Sequence, residues 1–522
     1  MSNQPPNSPY RSSTGSISNS TLYRSSAAAG IADATTANLP RASSATTVNF
    51  RSPFLSPASR PSSVWSPPSH SLPFNAPSNA NSTTALPLPP IQKKTMPSTR
   101  LREKLQVQDK PWLTQKKPIL ERMSKLATFA GLLIGALVAA VIVFRGYTSV
   151  HILSDSQLCL VLDDQFSGGS LDTSSWALDV ELGGFGNGEF EMTTNSPNNV
   201  YVSNGQLYIM PTLTSDSIDG GYDSVMNGAT YDLQGCTASG GTGGSNGCTA
   251  VSSSQAGTVI NPIMSGRLNT RGKKSIKYGK VEVRAKLPQG DWLWPAIWML
   301  PEGNGSSSST PQGMGVYGGW PVSGEIDIME ARGNLPTYPA QGSNYVRSSL
   351  NYGPFASGST PSIYGWVSTK QGNYASDFHV YAMEWTGSWM RFYTDSRLQA
   401  MINLDISSKT SDSYFYNTGG FPSVAMNMSS GKYIVVEDPW STAYGGSAAA
   451  PFDQQFYMVI DLAAGGTSGW FPDNVGGKPW YDGSATAMRD FAAAQSTWSA
   501  TWPSSADERA FRIDYVKMWQ LC

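Results

Sequence analysis

Cysteine is scarce, four in 522 residues, which excludes a small disulfide-stapled scaffold and a two-zinc ribbon. Histidine is scarcer still. His70, His151 and His379 are the whole supply, too few to complete zinc sites with those cysteines. Charged residues make up only 14% of the chain and the formal net charge is −1, which excludes a uniformly basic nucleic-acid binder. Neither a Rossmann fingerprint nor a P-loop is present, so sugar transfer from a nucleotide donor lacks its phosphate cradle. No internal repeat is visible, and no helical period of useful length appears outside one apolar run and the neighbourhood of Ala485–Gln495.

What is present is unevenly distributed. Of 36 Lys+Arg, 15 fall in residues 1–125, against 4 of 37 Asp+Glu, so the near-zero total hides a basic tail and an acidic remainder. Seventeen of the 35 prolines lie in the same tail, among Ser, Thr, Ala and Asn without apolar periodicity. Such a segment cannot bury enough surface to offset its chain entropy, and residues 1–125 are expected to be disordered. Ser-Pro pairs at Ser8, Ser52, Ser56 and Ser66 are candidate phosphate acceptors, as often met by chance in so biased a tail.

Leu126 to Phe144 reads LATFAGLLIGALVAAVIVF, nineteen residues without a charge. As a helix it would be roughly 28 Å long, close to the thickness of a bilayer's hydrocarbon core. A core helix would show one polar face, and a cleaved signal peptide would sit at the extreme N-terminus. A transmembrane span is therefore expected at 126–144. Lys104, Lys110, Lys116, Lys117, Arg122 and Lys125 precede it; after Arg145 no Lys or Arg occurs until Arg267. The positive-inside rule then predicts a type II signal anchor: cytosolic tail, linker at 145–158, and a lumenal or extracellular domain at 159–522. Cys159, Cys236, Cys248 and Cys522 all fall on that oxidising side, where three pairings are open. Asn304-Gly-Ser and Asn427-Met-Ser are glycosylation sequons on the same side.

Residues 159–522 read as one all-β domain. Val200–Met210, Lys280–Leu287, Glu325–Glu330, His379–Trp385, Met390–Thr394, Gln455–Asp461 and Phe511–Trp519 are β-rich runs separated by Gly, Asn, Pro and Ser, as in a sandwich or jelly roll. In KYGKVEVRAKL, Val281, Val283, Ala285 and Leu287 alternate with Lys280, Glu282, Arg284 and Lys286, a half-buried strand. Long loops are expected, including the Gly-rich stretch at 235–257.

The chemistry concentrates in Ser323–Arg332, SGEIDIMEAR, which holds Glu325, Asp327 and Glu330. In a strand Glu325 and Asp327 share a face and Ile326 and Ile328 the other. Strict alternation would place Met329 beside the acids, whereas one extra residue, a β-bulge, returns Glu330 to them. Adjacent carboxylates push their pKa values apart, leaving one protonated and one ionised near neutrality. Glycoside hydrolysis needs that combination. A solvated acidic edge or an oxygen-lined calcium site is the bland alternative. Against it stand sixteen tryptophans, with Trp292, Trp294, Trp298 and Trp320 close in sequence and Trp385 and Trp389 later. Their apolar faces suit the C–H faces of sugar rings.

GEIDIMEARG resembles the E-x-D-x-x-E signature of glycoside hydrolase family 16, the laminarinase-like β-glucanases. FGNGEFEMTTNSPNNVYVSNGQLYI, YGKVEVRAKLPQGDWLWPAIWML, DFHVYAMEWTGSWMRFYTD, PFDQQFYMVIDLAAGG and FRIDYVKMW extend the likeness over 160–520. With its anchor and basic tail, the chain resembles the fungal cell-wall proteins associated with β-1,6-glucan synthesis. The resemblance implies a concanavalin-like β-jelly-roll sandwich, with β-glucan as partner and no cofactor beyond a calcium on its outer face whose ligands it leaves unassigned. It implies Glu325 as nucleophile, Glu330 as general acid/base and Asp327 as tuner of the nucleophile. Trp294, Trp298 and Trp385 are then expected in the cleft, with Arg284 and His379 as candidates for sugar hydroxyls. Hydrolysis, transglycosylation and a silent glucan-binding or synthase-scaffolding role remain open, as does a soluble secreted enzyme.

Overall fold

The computed structural model describes residues 103–114, 118–148, 150–238, 247–303, 312–355, 362–407, 412–427 and 431–522. The four Ser-Pro pairs and Asn304 lie outside these residues, and Asn427 is placed only as a strand position. Residues 118–148 form one helix, Pro118–Thr148, extending beyond the uncharged run by about two turns at its start. Among the described residues it is the one helix long and apolar enough to cross a membrane.

The all-β expectation for the remainder holds: two eight-stranded antiparallel sheets face each other. One, the back sheet, runs in the order Ala400–Asp405, Trp389–Thr394, His379–Trp385, Gly279–Lys286, Phe511–Leu521, Gln206–Ile209, Val200–Ser203, with Leu158–Asp164 as an eighth strand paired to Phe511–Leu521. The other, called the cleft sheet because the sugar cleft is expected over it, runs Ser362–Ser368, Tyr345–Asn351, Glu325–Ala331, Leu293–Pro301, Phe456–Ala464, Arg267–Asn269, Ala177–Leu178, with Ser275–Ile276 as an eighth strand paired to Phe456–Ala464. Val281, Val283 and Ala285 from the back sheet and Ile326, Ile328 and Ile297 from the cleft sheet are sealed in one core cluster. Each such side chain contributes about 1.5–3 kcal/mol on burial, and this sets which face of every strand turns inward.

Several strands have the predicted bounds to within a few residues, and His379–Trp385 matches throughout. Val200–Met210 is instead a hairpin, because Asn204 and Gly205 both adopt positive φ, 53° and 69°, and turn the chain. The helical signal near Ala485 becomes Ala487–Ala493 and Gln495–Trp498. The disulfide question is resolved as Cys159–Cys522 and Cys236–Cys248. The first pair ties the opening strand Leu158–Asp164 to the closing strand Phe511–Leu521, with which it is already in register.

Candidate active site

Gly324, at φ +79°, turns the chain into the acidic strand Glu325–Ala331. A Cβ there would lie 2.8 Å from the ring of Phe452, so only glycine fits. Trp298 then pairs with Asp327 and Ile297 with Met329, which leaves Ile328 as the extra residue. On the other side Asp327 pairs with Ser349 and Glu330 with Arg347. This is the expected bulge. Ile326, Ile328 and Met329 all point into the core, fully buried, and Glu325, Asp327 and Glu330 share the outer face.

The neighbouring strand Tyr345–Asn351 supplies the groups that hold the row together. The amide of Asn351 donates to Glu325 at 2.9 Å and to Asp327 at 2.8 Å. The Ser349 hydroxyl donates to Asp327 at 2.6 Å and stands 3.2 Å from Glu330. Indole N–H groups close both ends, Trp320 on Glu325 at 3.1 Å and Trp294 on Glu330 at 3.2 Å. Hydrogen bonds thus run from Trp320 through Glu325, Asn351 and Asp327 to Ser349, whose hydroxyl adjoins Glu330, itself held by Trp294. The donors are neutral, so they orient the carboxylates without cancelling their charge.

Burial and the field of Glu330 push the Glu325 carboxyl up to about 7, opposed by the Asn351 and Trp320 hydrogen bonds. Asp327 is pushed well above its ordinary range by burial and by both flanking glutamates. A proton is therefore retained on Asp327 first, and the row can present an anion and an acid side by side. The donors occupy the carboxylate oxygens in the manner of a proton-transfer site rather than an ion cage. Among the described residues no group of three or more His, Cys, Asp or Glu is arranged to hold a metal ion.

The aromatic expectations divide. Trp298 lies on this face, its indole donating to Asp461 at 2.6 Å. Trp294 also reaches the site, but as a partner of Glu330, with its face stacked on Trp470 at 4.7 Å. Trp385 is a correction: it is fully buried, donates to the Phe452 carbonyl and packs against Tyr278 and Phe456. Arg284 and His379 are corrections as well. Both belong to the back sheet, where Arg284 is paired with Asp514 at 2.6 Å and His379 with Asp395 at 2.8 Å. Trp292 is core, wedged among Tyr338, Phe471 and Trp480.

Other residues join the site unannounced. Arg267 lies between the rings of Phe185 and Trp298, 4.2 and 4.7 Å from their centroids, and pairs with Asp179. Asp461, pushed up to about 6 by burial, accepts from Trp298. Ser349 and Asn351 could have been suspected from their spacing around the core residue Leu350, a period-two pattern in VRSSLNYG.

The sequence profile of Glycosyl hydrolases family 16 matches residues 241–452. A β-1,3-glucan-binding protein of Penaeus monodon is 38% identical over 371 residues, covering 70% of this chain and 90% of that protein. The chain belongs to glycosyl hydrolase family 16. The glucan endo-1,3-β-glucosidase A1 of Niallia circulans is 31% identical over 316 residues, 59% of this chain and 34% of that protein, so the chain spans about a third of its length. Among solved structures, the Rhodothermus marinus laminarinase is similar at 23% identity and a TM-score of 0.39, covering 70% of this chain and 98% of that one.

Proposed function

We propose that the chain is a membrane-anchored, β-glucan-active glycosidase or transglycosylase that works by retaining double displacement. The observation that carries this reading is the hydrogen-bonded row of three carboxyls on the outer face of the cleft sheet. Glu325 is the nucleophile. Asn351 and Trp320 donate to it and so favour its anion, and a proton kept on Asp327 spares it a charged neighbour. Glu330 is the general acid/base. It gives a proton to the departing glycosidic oxygen as Glu325 bonds to the anomeric carbon, then takes one from the acceptor hydroxyl as the glycosyl–Glu325 bond breaks. Water as acceptor gives hydrolysis; a glucan hydroxyl gives transfer.

The helix and the charge pattern support a cellular setting for this reading. A span within Pro118–Thr148, preceded by a lysine-rich flank, supports a single-pass type II anchor with the sandwich in the secretory lumen or outside the cell. The two disulfides accord with that side. An anchored enzyme gains little from digesting its own wall, which favours remodelling or synthesis of wall glucan over degradation. The fungal β-1,6-glucan setting rests on the resemblance of the sequence blocks and anchor alone.

A second reading is a silent glucan binder or synthase scaffold, whose binding part is supported by the similarity to a β-1,3-glucan-binding protein of Penaeus monodon. Glu325→Gln separates the two, because it keeps the shape and hydrogen-bonding reach while removing the nucleophile. Full-length protein in detergent, incubated with β-1,3- and β-1,6-linked oligoglucosides, is expected to give products that this variant does not. If the variant instead fully restores wall glucan in a strain lacking the protein, catalysis is not its function.

A further inference from the structure

Ser362–Ser368 forms the outer edge of the cleft sheet, and its side chains divide by parity. Ile363 and Val367 pack onto the core, and Tyr364 and Trp366 project to the other face, 45% and 49% exposed. That face is the one bearing the carboxyls. Glu330 is in register with Arg347 and Arg347 with Trp366, and a parallel row runs Asp327, Ser349, Tyr364. The Arg347 guanidinium lies over the Tyr364 ring, 4.5 Å from its centroid, and Tyr345 supports Trp366 at 5.3 Å. Large exposed aromatics on an edge strand invite aggregation. Their exposure is accounted for by a ligand with apolar C–H faces.

We infer that Tyr364 and Trp366, with Arg347 inside them, form a glucan-binding subsite on the leaving-group and acceptor side of the scissile bond. The side follows from the register. Glu330, which protonates the leaving oxygen in the proposed mechanism, heads the row that ends on Trp366. Two strand spacings, roughly 9–10 Å, separate them, a reach of about two sugar rings. The subsite would select acceptors long enough to cover the indole and hold them against exchange with water, favouring transfer. This inference rests on the glycosidase reading for its direction but not for its existence.

Binding to full-length protein carrying Glu330→Gln is therefore measured separately from turnover, with the disaccharide and the heptasaccharide of β-1,3-linked glucose as probes. Adding Trp366→Ala is expected to weaken the heptasaccharide about three- to tenfold and leave the disaccharide unchanged, with Trp366→Phe recovering most of the loss. In the active protein, Trp366→Ala is expected to lower transfer to added heptasaccharide more than hydrolysis. Unchanged heptasaccharide affinity, or equal loss for both probes, overturns the subsite. Length-selective loss with no turnover by the parent upholds the subsite and removes the catalytic reading instead. If hydrolysis falls and transfer does not, the acceptor-side placement is overturned.

Discussion

Both outer faces of the sandwich carry charge, yet they handle it in opposite ways. On the back sheet several acids meet cations: Lys280 with Glu282 at 2.6 Å, Arg284 with Asp514 at 2.6 Å, and fully buried Glu384 with Arg391 and Arg397. On the cleft sheet three acids stand together and are met by Asn351, Ser349, Trp320 and Trp294, all neutral. Pairing with a cation pins a carboxylate in its ionised form, useful for a surface and useless for proton transfer. Neutral donors fix position and leave the proton free to move. The placement of charge therefore separates a face that holds the fold from one equipped for chemistry, and mutation can test that separation.

The largest expected effect is at Glu325. Changing it to Gln should lower kcat by at least about a thousandfold, as expected when a nucleophile is lost. The same change should raise stability in alkali. Glu325 has its carboxyl raised to about 7 in the folded state, above its ordinary value, so its protonated form favours folding. That contribution is present at low pH and lost as pH rises through about 7. Thermal melts at pH 8 should show the variant more stable than the parent. A drop in both activity and stability would mean that the row is a structural ion site.

Trp385 lies between the two faces and tests whether the aromatic supply is cleft or core. Trp385→Ala is expected to cost about 3–5 kcal/mol in denaturant unfolding, the price of a large cavity. At temperatures where the variant stays folded its KM for oligoglucosides should match the parent's. A selective rise in KM with unaltered stability would restore it to the cleft.

The strand run HVYAMEW shows how much was legible. Tyr381, Met383 and Trp385 share parity, all fully buried, so alternation alone placed the indole inward beside Met383. Resemblance drew it to the cleft instead. The acidic strand was read from its own residues, because its bulge is demanded locally by two isoleucines and a methionine that must be buried. Ser349, Asn351 and Trp366 were not, since their role depends on which strand lies beside Glu325–Ala331, and register between strands is a tertiary choice. Arg284 misled for the same reason. Its alternation gives the outward face of a strand correctly and says nothing about which sheet that strand joins.

Asp327 gives a more specific test. Its carboxyl is held well above the ordinary range by burial and by the two glutamates, and in ionised form it would in turn repel the charge on Glu325. In the parent, kcat/KM should fall as pH drops below about 7, because the nucleophile takes up a proton. Asp327→Asn replaces the protonated carboxyl by a neutral amide and should leave this acid limb in place. A pH–rate profile of each protein checks this. A limb that moves downward would mean that Asp327 carries a charge beside Glu325 in the parent.

The smallest effect is expected on the back sheet, at one of the two candidates for sugar hydroxyls that the resemblance offers. Arg284 and Asp514 are each about one-third exposed, and such a pair contributes about 0.2–1 kcal/mol once solvent screening is allowed for. Arg284→Gln should therefore shift the unfolding midpoint slightly, and less in high salt, where the ion pair is already weakened. Its kcat and KM on oligoglucosides should stay within about twofold, since ordinary surface changes stay within about 0.5 kcal/mol. A large rise in KM would mean that glucan also binds the back sheet, and the division of labour between the two faces would fail.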